Sequence, residues 1–346
     1  MVEITTRCNY DCIHCFRRGM EEPYGDMDPK FFERVVKDAR SAGVKKIVFS
    51  GWGEPLIHPR ILEFVELVKS KGMEVLLNTN GSLLGYYAEE LLRLGVDEIV
   101  VSIDSVETDL YRAIRIGGSL PAVVKGLVKL KELRRERFSW KPVVSIQFTV
   151  NRLNYRDVLK LVGFAKLVGA TRVTLSNMIP LSAEQEMKLA CYNDEECLRF
   201  MERAREELGK ESLDSNVAIE FPSFGMQAER RCPFVTRYAA YVRRDGGVAP
   251  CIYYAHRWRT GFMGIDREIR PVVFGNLLEK NLISIWRDPE YAEFRFRAAF
   301  FAMPSCLDCP LAPYCLYTLS NEVDCWGNTP TCAHCPYSHD MARCPL

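Results

Sequence analysis

Residues 2–15 read VEITTRCNYDCIHC, and this stretch decides the fold. The β-branched run at residues 2–5 predicts a strand, and three cysteines follow it as Cys8-x3-Cys12-x2-Cys15. Thiolates at this spacing can bind three irons of a 4Fe–4S cluster and leave its fourth iron open. A three-cysteine zinc site is the alternative, but structural zinc usually takes four ligands and only His14 stands nearby as a fourth.

Beyond this stretch, short strands alternate with amphipathic helices. Asp28 and Pro29 open one helix pattern, and His58 and Pro59 precede another. A row of strand–helix units predicts a parallel sheet, either open or curved into an incomplete barrel, with the loops after the strands on one edge. No GxGxxG turn follows the first strand, so nothing indicates a dinucleotide site. Strands are predicted at residues 2–5, 46–50, 74–78, 98–103, 143–149 and 172–176.

Composition excludes several classes of protein. The 346 residues include 46 Lys plus Arg and 45 Asp plus Glu, a balance that does not favour nucleic-acid binding. No apolar run is long enough to cross a membrane, and the first residues do not read as a signal peptide, so we expect a cytoplasmic protein. The 14 cysteines then indicate metal ligation, because reducing compartments keep thiols free. Disulfides in a thermophile are the alternative.

Four segments of the first half carry the most specific pattern. After the cysteine run come Ser50-Gly51-Trp52-Gly53-Glu54-Pro55, then Ser102-Ile103-Asp104, then Tyr111-Arg112-Ala113-Ile114-Arg115. In this order, and at the ends of predicted strands, they resemble the motifs of the radical S-adenosylmethionine (SAM) superfamily. The resemblance covers residues 1 to about 180.

The resemblance implies a partial (β/α)6 TIM barrel in which Cys8, Cys12 and Cys15 bind a catalytic 4Fe–4S cluster. SAM would bind the open iron, and its reductive cleavage would give a 5′-deoxyadenosyl radical that abstracts hydrogen from an unactivated C–H bond. By themselves, the two glycines could form a turn, Ser102 and Asp104 a helix cap, and Arg115 a surface cation. The residues for which the resemblance implies SAM contacts are His14, Gly51, Gly53, Glu54, Asn80, Ser102, Asp104 and Arg115.

The second half of the chain changes character. We expect the barrel at residues 1–180, a helical bridge at 181–230 and a cysteine-rich domain at 231–346. The bridge is predicted to be helical over residues 183–208, with a short strand-like stretch around 217–221. Cys191 and Cys197 read as ordinary helix residues, while His256, His334 and His339 read as solvent-facing or structural rather than ligating. A domain with so few long periodic segments needs additional stabilisation, which metal clusters can supply.

Nine cysteines fall in this last domain. Cys232-x13-Gly246-x4-Cys251 and Cys306-x2-Cys309-x5-Cys315 resemble the SPASM extension of radical SAM enzymes, which implies two auxiliary iron–sulfur clusters. That pattern expects a cysteine at position 319, where this chain has leucine, so Cys325 is expected to replace it. Zinc and disulfides remain alternatives. The expected groups are Cys232, Cys251 and Cys325 for one cluster, and Cys306, Cys309, Cys315 and a late cysteine such as Cys344 for the other, with Cys332 and Cys335 completing either site or binding a separate metal.

The tail DCWGNTPTCAHC, residues 324–335, resembles a family that modifies the cofactor of tungsten-containing aldehyde ferredoxin oxidoreductase and is common in anaerobic archaea. SAM cleavage needs a strongly reducing electron and the chain contains no flavin motif, so we expect a reduced ferredoxin-like electron donor. The substrate stays open between a tungstopterin, a peptide and a lipid chain. A non-enzymatic iron–sulfur electron carrier is the alternative from another class, and the Gly51–Glu54 loop speaks against it.

Overall fold

Strands and helices alternate through most of the computed structural model, which describes residues 1–346. The strands are β1 (Asp11–Cys12), β2 (Lys46–Phe49), β3 (Glu74–Thr79), β4 (Glu98–Ser102), β5 (Arg115–Ile116), β6 (Val143–Val150), β7 (Arg172–Asn177), β8 (Ala218–Glu220), β9 (Tyr241–Val242), β10 (Val248–Ala249), β11 (Trp258–Thr260) and β12 (Arg267–Ile269). The helices are α1 (Pro29–Ser41), α2 (Ile61–Ser70), α3 (Leu84–Arg93), α4 (Thr108–Ile114), α5 (Leu120–Glu136), α6 (Leu161–Val168), α7 (Ala183–Leu189), α8 (Glu195–Ser215), α9 (Pro233–Thr236), α10 (Leu282–Trp286) and α11 (Pro289–Phe300).

The central sheet has six strands in the order β2-β3-β4-β6-β7-β8. Every neighbouring pair is parallel, from Lys46 opposite Glu74 at one side to Thr174 opposite Glu220 at the other. Helices connect the strands, so the carboxyl ends of the strands and the loops that follow them share one edge. The predicted parallel α/β arrangement is therefore confirmed.

One strand prediction needs correction. Residues 2–5 form isolated bridges rather than a strand, because Val2 touches Phe49 on one side and Val242 on the other. The sixth strand of the sheet is instead β8, which falls within the strand-like stretch expected around residues 217–221. The N-terminal segment thus links the sheet to the cysteine-rich domain.

The helix predictions hold where a cap and an apolar face coincide. The Asp28 carboxylate accepts a hydrogen bond from the Phe31 backbone N–H at 3.0 Å and caps α1. The buried face of α1 comprises Phe32, Val35, Val36 and Ala39, at helical spacing. The predicted helix 183–208 is broken into α7 and α8, and Cys191 and Cys197, across the break, form a disulfide. That pairing was not expected.

The C-terminal domain has short hairpins, β9–β10 and β11–β12, and the helices α10 and α11. Most of its remaining chain runs in turns and single 3-10 turns, as the composition predicted. No helix of the protein has both the length and the apolar character that a membrane span requires.

Candidate active site and cysteine groups

The three N-terminal cysteines open onto a cavity of about 250 Å³ at the carboxyl edge of the sheet. The loops after β2 and β3 line it, together with residues towards the carboxyl ends of β4, β6 and β7. All but one of the predicted SAM contacts therefore come together. Those that line the cavity are His14, Gly51, Gly53, Glu54, Asn80, Ser102 and Arg115.

The cysteine loop is held by a two-residue ladder. β1 pairs antiparallel with β5, which places Cys12 opposite Arg115. Burial raises the pKa of Cys12 to about 12 and raises that of Cys8 and Cys15. Metal binding must therefore displace protons from all three thiols.

The donor set fits a 4Fe–4S cluster better than zinc. No three His, Cys, Asp or Glu side chains of the protein are gathered as they would be around a single metal ion. In a cluster each thiolate binds a different iron, so Cys8, Cys12 and Cys15 need only face one space.

Asp104 is the predicted SAM contact that does not line the cavity. It is fully buried, with its Oδ2 atom 2.7 Å from Arg115 Nε and 3.5 Å from His14 Nε2. Its Oδ1 atom accepts a hydrogen bond from the Thr149 backbone N–H at 2.8 Å. Asp104 therefore positions Arg115 and His14 without lining the cavity itself.

Arg115 is not a surface cation but a buried one. Burial opposes its charge, but the carboxylate of Asp104 and the thiol of Cys12 outweigh burial and raise the pKa of the guanidinium. The Nη1 atom of Arg115 lies 3.9 Å from Cys12 Sγ. A permanent positive charge thus stands beside one thiolate of the predicted cluster.

Glu54 braces the glycine-containing loop. Its Oε1 atom accepts hydrogen bonds from the Leu56 N–H at 3.0 Å and the Thr79 hydroxyl at 2.7 Å, and Oε2 accepts from the Asn80 N–H at 2.6 Å. Burial nevertheless raises the pKa of this carboxyl. With its oxygens so occupied, Glu54 ties the loop after β2 to the end of β3.

The two glycines are required by packing against the N-terminal segment. A Cβ on Gly53 would lie 2.4 Å from the carbonyl oxygens of Thr5 and Arg7, and one on Gly51 would lie 2.6 Å from Glu3 Cγ. These contacts lie between the loop and the chain leading to Cys8. The glycines thus hold the cysteine loop against the sheet edge.

Further polar residues line the cavity. Gln147 and Thr149, on β6, do so, whereas Asn151 is buried and does not. Four other lining residues each have one buried polar atom without a hydrogen-bond partner: Arg17 Nε, Asn78 Oδ1, Asn177 Oδ1 and Arg343 Nε. Sequence reasoning missed these four, although Asn78 and Asn177 are polar residues at strand ends.

A second, smaller cavity of about 30 Å³ lies in the C-terminal domain. Four thiols line it, those of Cys232, Cys251, Cys332 and Cys335. Cys344 does not line it. After burial, the charge of Cys344 is among the causes that raise the pKa of Cys251, and the charges of Cys232 and Cys335 help to raise the pKa of Cys344. Burial raises the pKa of Cys335 to about 12 and that of Cys251 and Cys332 well above the usual range. We refer to these five residues as the inner cysteine group.

Cys306, Cys309 and Cys325 form a separate group. Burial, followed by the charges of Cys325 and Asp324, raises the pKa of Cys306 to about 12, and Cys309 acts in the same direction. Backbone hydrogen bonds through Ala312 connect Cys309 with Cys315. We refer to Cys306, Cys309, Cys315 and Cys325 as the outer cysteine group, since Cys325 is exposed. The structure thus reverses two expected assignments, because Cys325 joins the outer group and Cys344 the inner one.

Two family models match the chain. The model of the radical SAM superfamily matches residues 2–165, and that of the SPASM iron–sulfur cluster-binding domain matches residues 232–310.

Among curated relatives, one matches along its whole length. The tungsten-containing aldehyde ferredoxin oxidoreductase cofactor-modifying protein of Pyrococcus furiosus is 34% identical over 348 residues, which cover 100% of this chain and 96% of the relative. A probable GTP 3′,8-cyclase of Methanocaldococcus jannaschii is 28% identical over 261 residues, covering 72% of this chain and 83% of the relative.

Two solved structures share the fold. Streptococcus suis SuiB bound to S-adenosylmethionine superposes with a TM-score of 0.64 at 18% identity, covering 91% of this chain and 71% of SuiB. Native anSMEcpe with bound AdoMet and a Cp18Cys peptide superposes with a TM-score of 0.63 at 20% identity, covering 90% of this chain and 85% of that one.

Proposed function

On the premise that the chain belongs to the radical SAM superfamily, we propose that it acts on a tungsten-binding pterin cofactor or on the enzyme that carries it. The full-length relative at 34% identity carries this proposal, because its name describes modification of the cofactor of a tungsten-containing aldehyde ferredoxin oxidoreductase. The protein is an enzyme of the SPASM-containing branch, with a partial TIM barrel followed by an iron–sulfur domain.

SAM, a catalytic 4Fe–4S cluster and auxiliary iron–sulfur clusters are its cofactors. When bound and reduced, the catalytic cluster supplies the electron that cleaves SAM and generates a hydrogen-abstracting radical. Cys8, Cys12 and Cys15 would hold this cluster, since their thiols line the cavity. Arg115 would offset the negative charge of the thiolates, while Glu54 keeps the loop after β2 in place.

We propose that SAM occupies the part of the cavity next to the cysteines. Gly51, Gly53, Asn80 and Ser102 line the same cavity as the cysteines, and His14 lies between the second and third cysteine in the sequence. Asp104 contributes by fixing Arg115 and His14. The reaction also needs a reductant, for which we propose a reduced ferredoxin-like protein.

The rest of the cavity favours a polar substrate over a lipid chain. Asn78, Asn177 and Arg343 each bring a buried polar atom that has no partner within the protein. A hydrocarbon chain would leave such atoms unpaired at a cost of about 1–3 kcal/mol each. A pterin, whose ring edge alternates hydrogen-bond donors and acceptors and whose side chain is anionic, would satisfy them.

Peptide or protein maturation is the second candidate. The amide side chains of Asn78, Gln147 and Asn177 in the cavity could also bind a peptide backbone. SuiB has a structure bound to its precursor peptide SuiA, and anSMEcpe one with a bound peptide. Both are similar to this chain only in fold.

Anaerobic incubation with dithionite and SAM tests the chemistry. We expect release of 5′-deoxyadenosine from the loaded enzyme and none from Cys12→Ala. With a deuterium-labelled pterin dithiolene we expect the label in 5′-deoxyadenosine. Deuterium transfer only from a labelled peptide would favour peptide or protein maturation. Failure to cleave SAM despite full iron loading would indicate that the protein is a non-enzymatic electron carrier.

A further inference from the structure

Two tyrosines of the smaller cavity have hydroxyl groups without a partner. Tyr254 and Tyr291 line this cavity together with four thiols of the inner cysteine group. Both residues are fully buried, and neither hydroxyl has a hydrogen-bond partner within the protein. More than nine in ten buried polar groups of folded proteins are hydrogen-bonded. The two hydroxyls therefore require a partner that the polypeptide does not provide.

Aromatic packing holds the two rings in place. The ring of Tyr291, on α11, stacks on that of Phe274 with 4.4 Å between their centroids, and it meets the ring of Trp286 edge-on at 5.4 Å. The ring of Tyr254 meets that of Tyr253 edge-on at 5.1 Å. Neither ring can turn towards another partner without breaking these contacts. The positions of both hydroxyls are thus set by the fold.

The other side chains of the cavity wall do not supply the missing acceptor. Apart from the tyrosines and the cysteines, Arg295 and Ser338 are the polar residues that line it. The guanidinium of Arg295 can only donate, and its Nη1 atom is itself buried without a partner. The Ser338 hydroxyl donates to the Cys335 carbonyl at 2.7 Å. The sulfur atoms are therefore the acceptors that remain, weak as thiols and stronger once they are ionised and bound to iron.

We propose that the hydroxyls of Tyr254 and Tyr291 donate hydrogen bonds to sulfur atoms of the inner auxiliary cluster and thereby raise its reduction potential. A thiolate-bound cluster is anionic, and one-electron reduction adds a further negative charge. Hydrogen bonds to the sulfurs are among the factors that set the potential of such a cluster, and a donor stabilises the more negative form more strongly. The inference concerns an auxiliary cofactor and is independent of the substrate.

A redox titration of the fully loaded enzyme with dithionite, without SAM and followed by electron paramagnetic resonance, tests the proposal. The signal of the inner cluster is the auxiliary signal that is absent from Cys335→Ser, since Cys335 lines the cavity. In the double variant Tyr254→Phe with Tyr291→Phe, we expect the inner potential to fall by the equivalent of a tenfold or larger change in the reduction equilibrium, about 59 mV for one electron. The potentials of the other clusters should not move.

Tyr111→Phe is the matched control. Tyr111, on α4, is equally buried and its hydroxyl also lacks a partner, but it does not line the smaller cavity. This variant should keep the wild-type potential of the inner cluster. An unchanged potential in the loaded double variant, or a comparable fall in Tyr111→Phe, would overturn the proposal.

Pulsed electron paramagnetic resonance of the reduced wild-type enzyme, loaded with iron in D2O, is a second measurement that needs no tyrosine variant. It keeps the proposal testable should the double variant fail to bind the inner cluster. We expect exchangeable deuterons coupled to the inner cluster, since both hydroxyls would carry deuterium. The absence of any such coupling would show that no hydroxyl donates to the cluster and would also overturn the proposal.

Discussion

Cys8, Cys12 and Cys15 illustrate how single residues define the proposed catalytic centre. Cys8 and Cys15 are partly accessible and Cys12 is buried beside Arg115. Because burial raises the pKa of each thiol, none is poised to act as a free nucleophile. Ligation to iron is the role consistent with three thiols that face one cavity.

Replacing any one of these cysteines by alanine should remove the catalytic cluster alone. We expect a loss of about four irons per chain from a total of roughly 12, and no 5′-deoxyadenosine. Iron analysis and product chromatography measure both. The double variant Cys191→Ala with Cys197→Ala is the control, since these residues form a disulfide away from the cavity, and it should keep its iron. Equal iron loss in the control would refute the assignment.

Gly53→Ala should destabilise the protein and the site together. The new methyl group would lie 2.4 Å from two backbone carbonyl oxygens, which cannot move without shifting the cysteine loop. We expect a loss of about 3 kcal/mol in the free energy of unfolding, measured by denaturant titration.

Gly209→Ala is the matched control for Gly53→Ala. Gly209 lies inside α8 with open space around its Cα, so alanine there should stabilise the protein by about 0.5–1 kcal/mol. Destabilisation by both substitutions to the same degree would contradict the packing argument.

At the scale of elements, a buried charge network joins the barrel to the cysteine-rich domain. His256 donates from Nε2 to Glu3 at 2.9 Å and from Nδ1 to Glu22 at 3.0 Å. Glu3 also accepts from the Tyr241 hydroxyl at 2.6 Å and from the Trp52 N–H at 3.1 Å. The network therefore connects the N-terminal segment, the loop after β2 and β9.

This network predicts a pH dependence. Burial opposes the charge on His256, but its hydrogen bonds to Glu22 and Glu3 raise its pKa to about 9 from an ordinary 6.5. The stabilisation, on the order of 3 kcal/mol, is complete below pH 6.5 and is lost as the pH rises through 9. We expect the thermal midpoint of the loaded enzyme to fall across this range and the fall to diminish in His256→Gln.

His339→Gln is the control for this measurement. Burial lowers the pKa of His339, so it does not titrate between pH 6.5 and 9, and its variant should keep the wild-type slope. A wild-type midpoint that is flat across this range would contradict the proposed imidazolium.

At the scale of the whole molecule, the two auxiliary sites differ in depth. The cavity of the inner group lies between α11 and the chain around Cys332, and its cysteines are half-buried, whereas the outer group includes the exposed Cys325. An electron from a protein donor has the shorter path to the outer site.

The inner group has five thiols, one more than a cluster needs. We expect Cys335→Ser to lose about four irons per chain and Cys344→Ser to retain them, because Cys335 lines the cavity and Cys344 does not. Iron analysis with Mössbauer spectroscopy distinguishes the two variants. Loss of iron in Cys344→Ser with retention in Cys335→Ser would show that Cys344, and not Cys335, is the cluster ligand.

The sequence by itself determined the alternation of strands and helices, the cysteine triad and the loop around Glu54. These features are local, because the cap residues, the cysteine spacing and the apolar periodicity each involve residues that are close together in the sequence. Asp28 at the start of α1 and the Cys8–Cys15 run are clear examples.

Only the tertiary structure decided which distant residues meet. It placed β8 in the sheet, Cys325 in the outer group and Asp104 behind Arg115. It also brought Arg343 to the cavity. Such pairings join residues that no local sequence pattern links, and their energies come from burial and charge that exist only once the chain has folded.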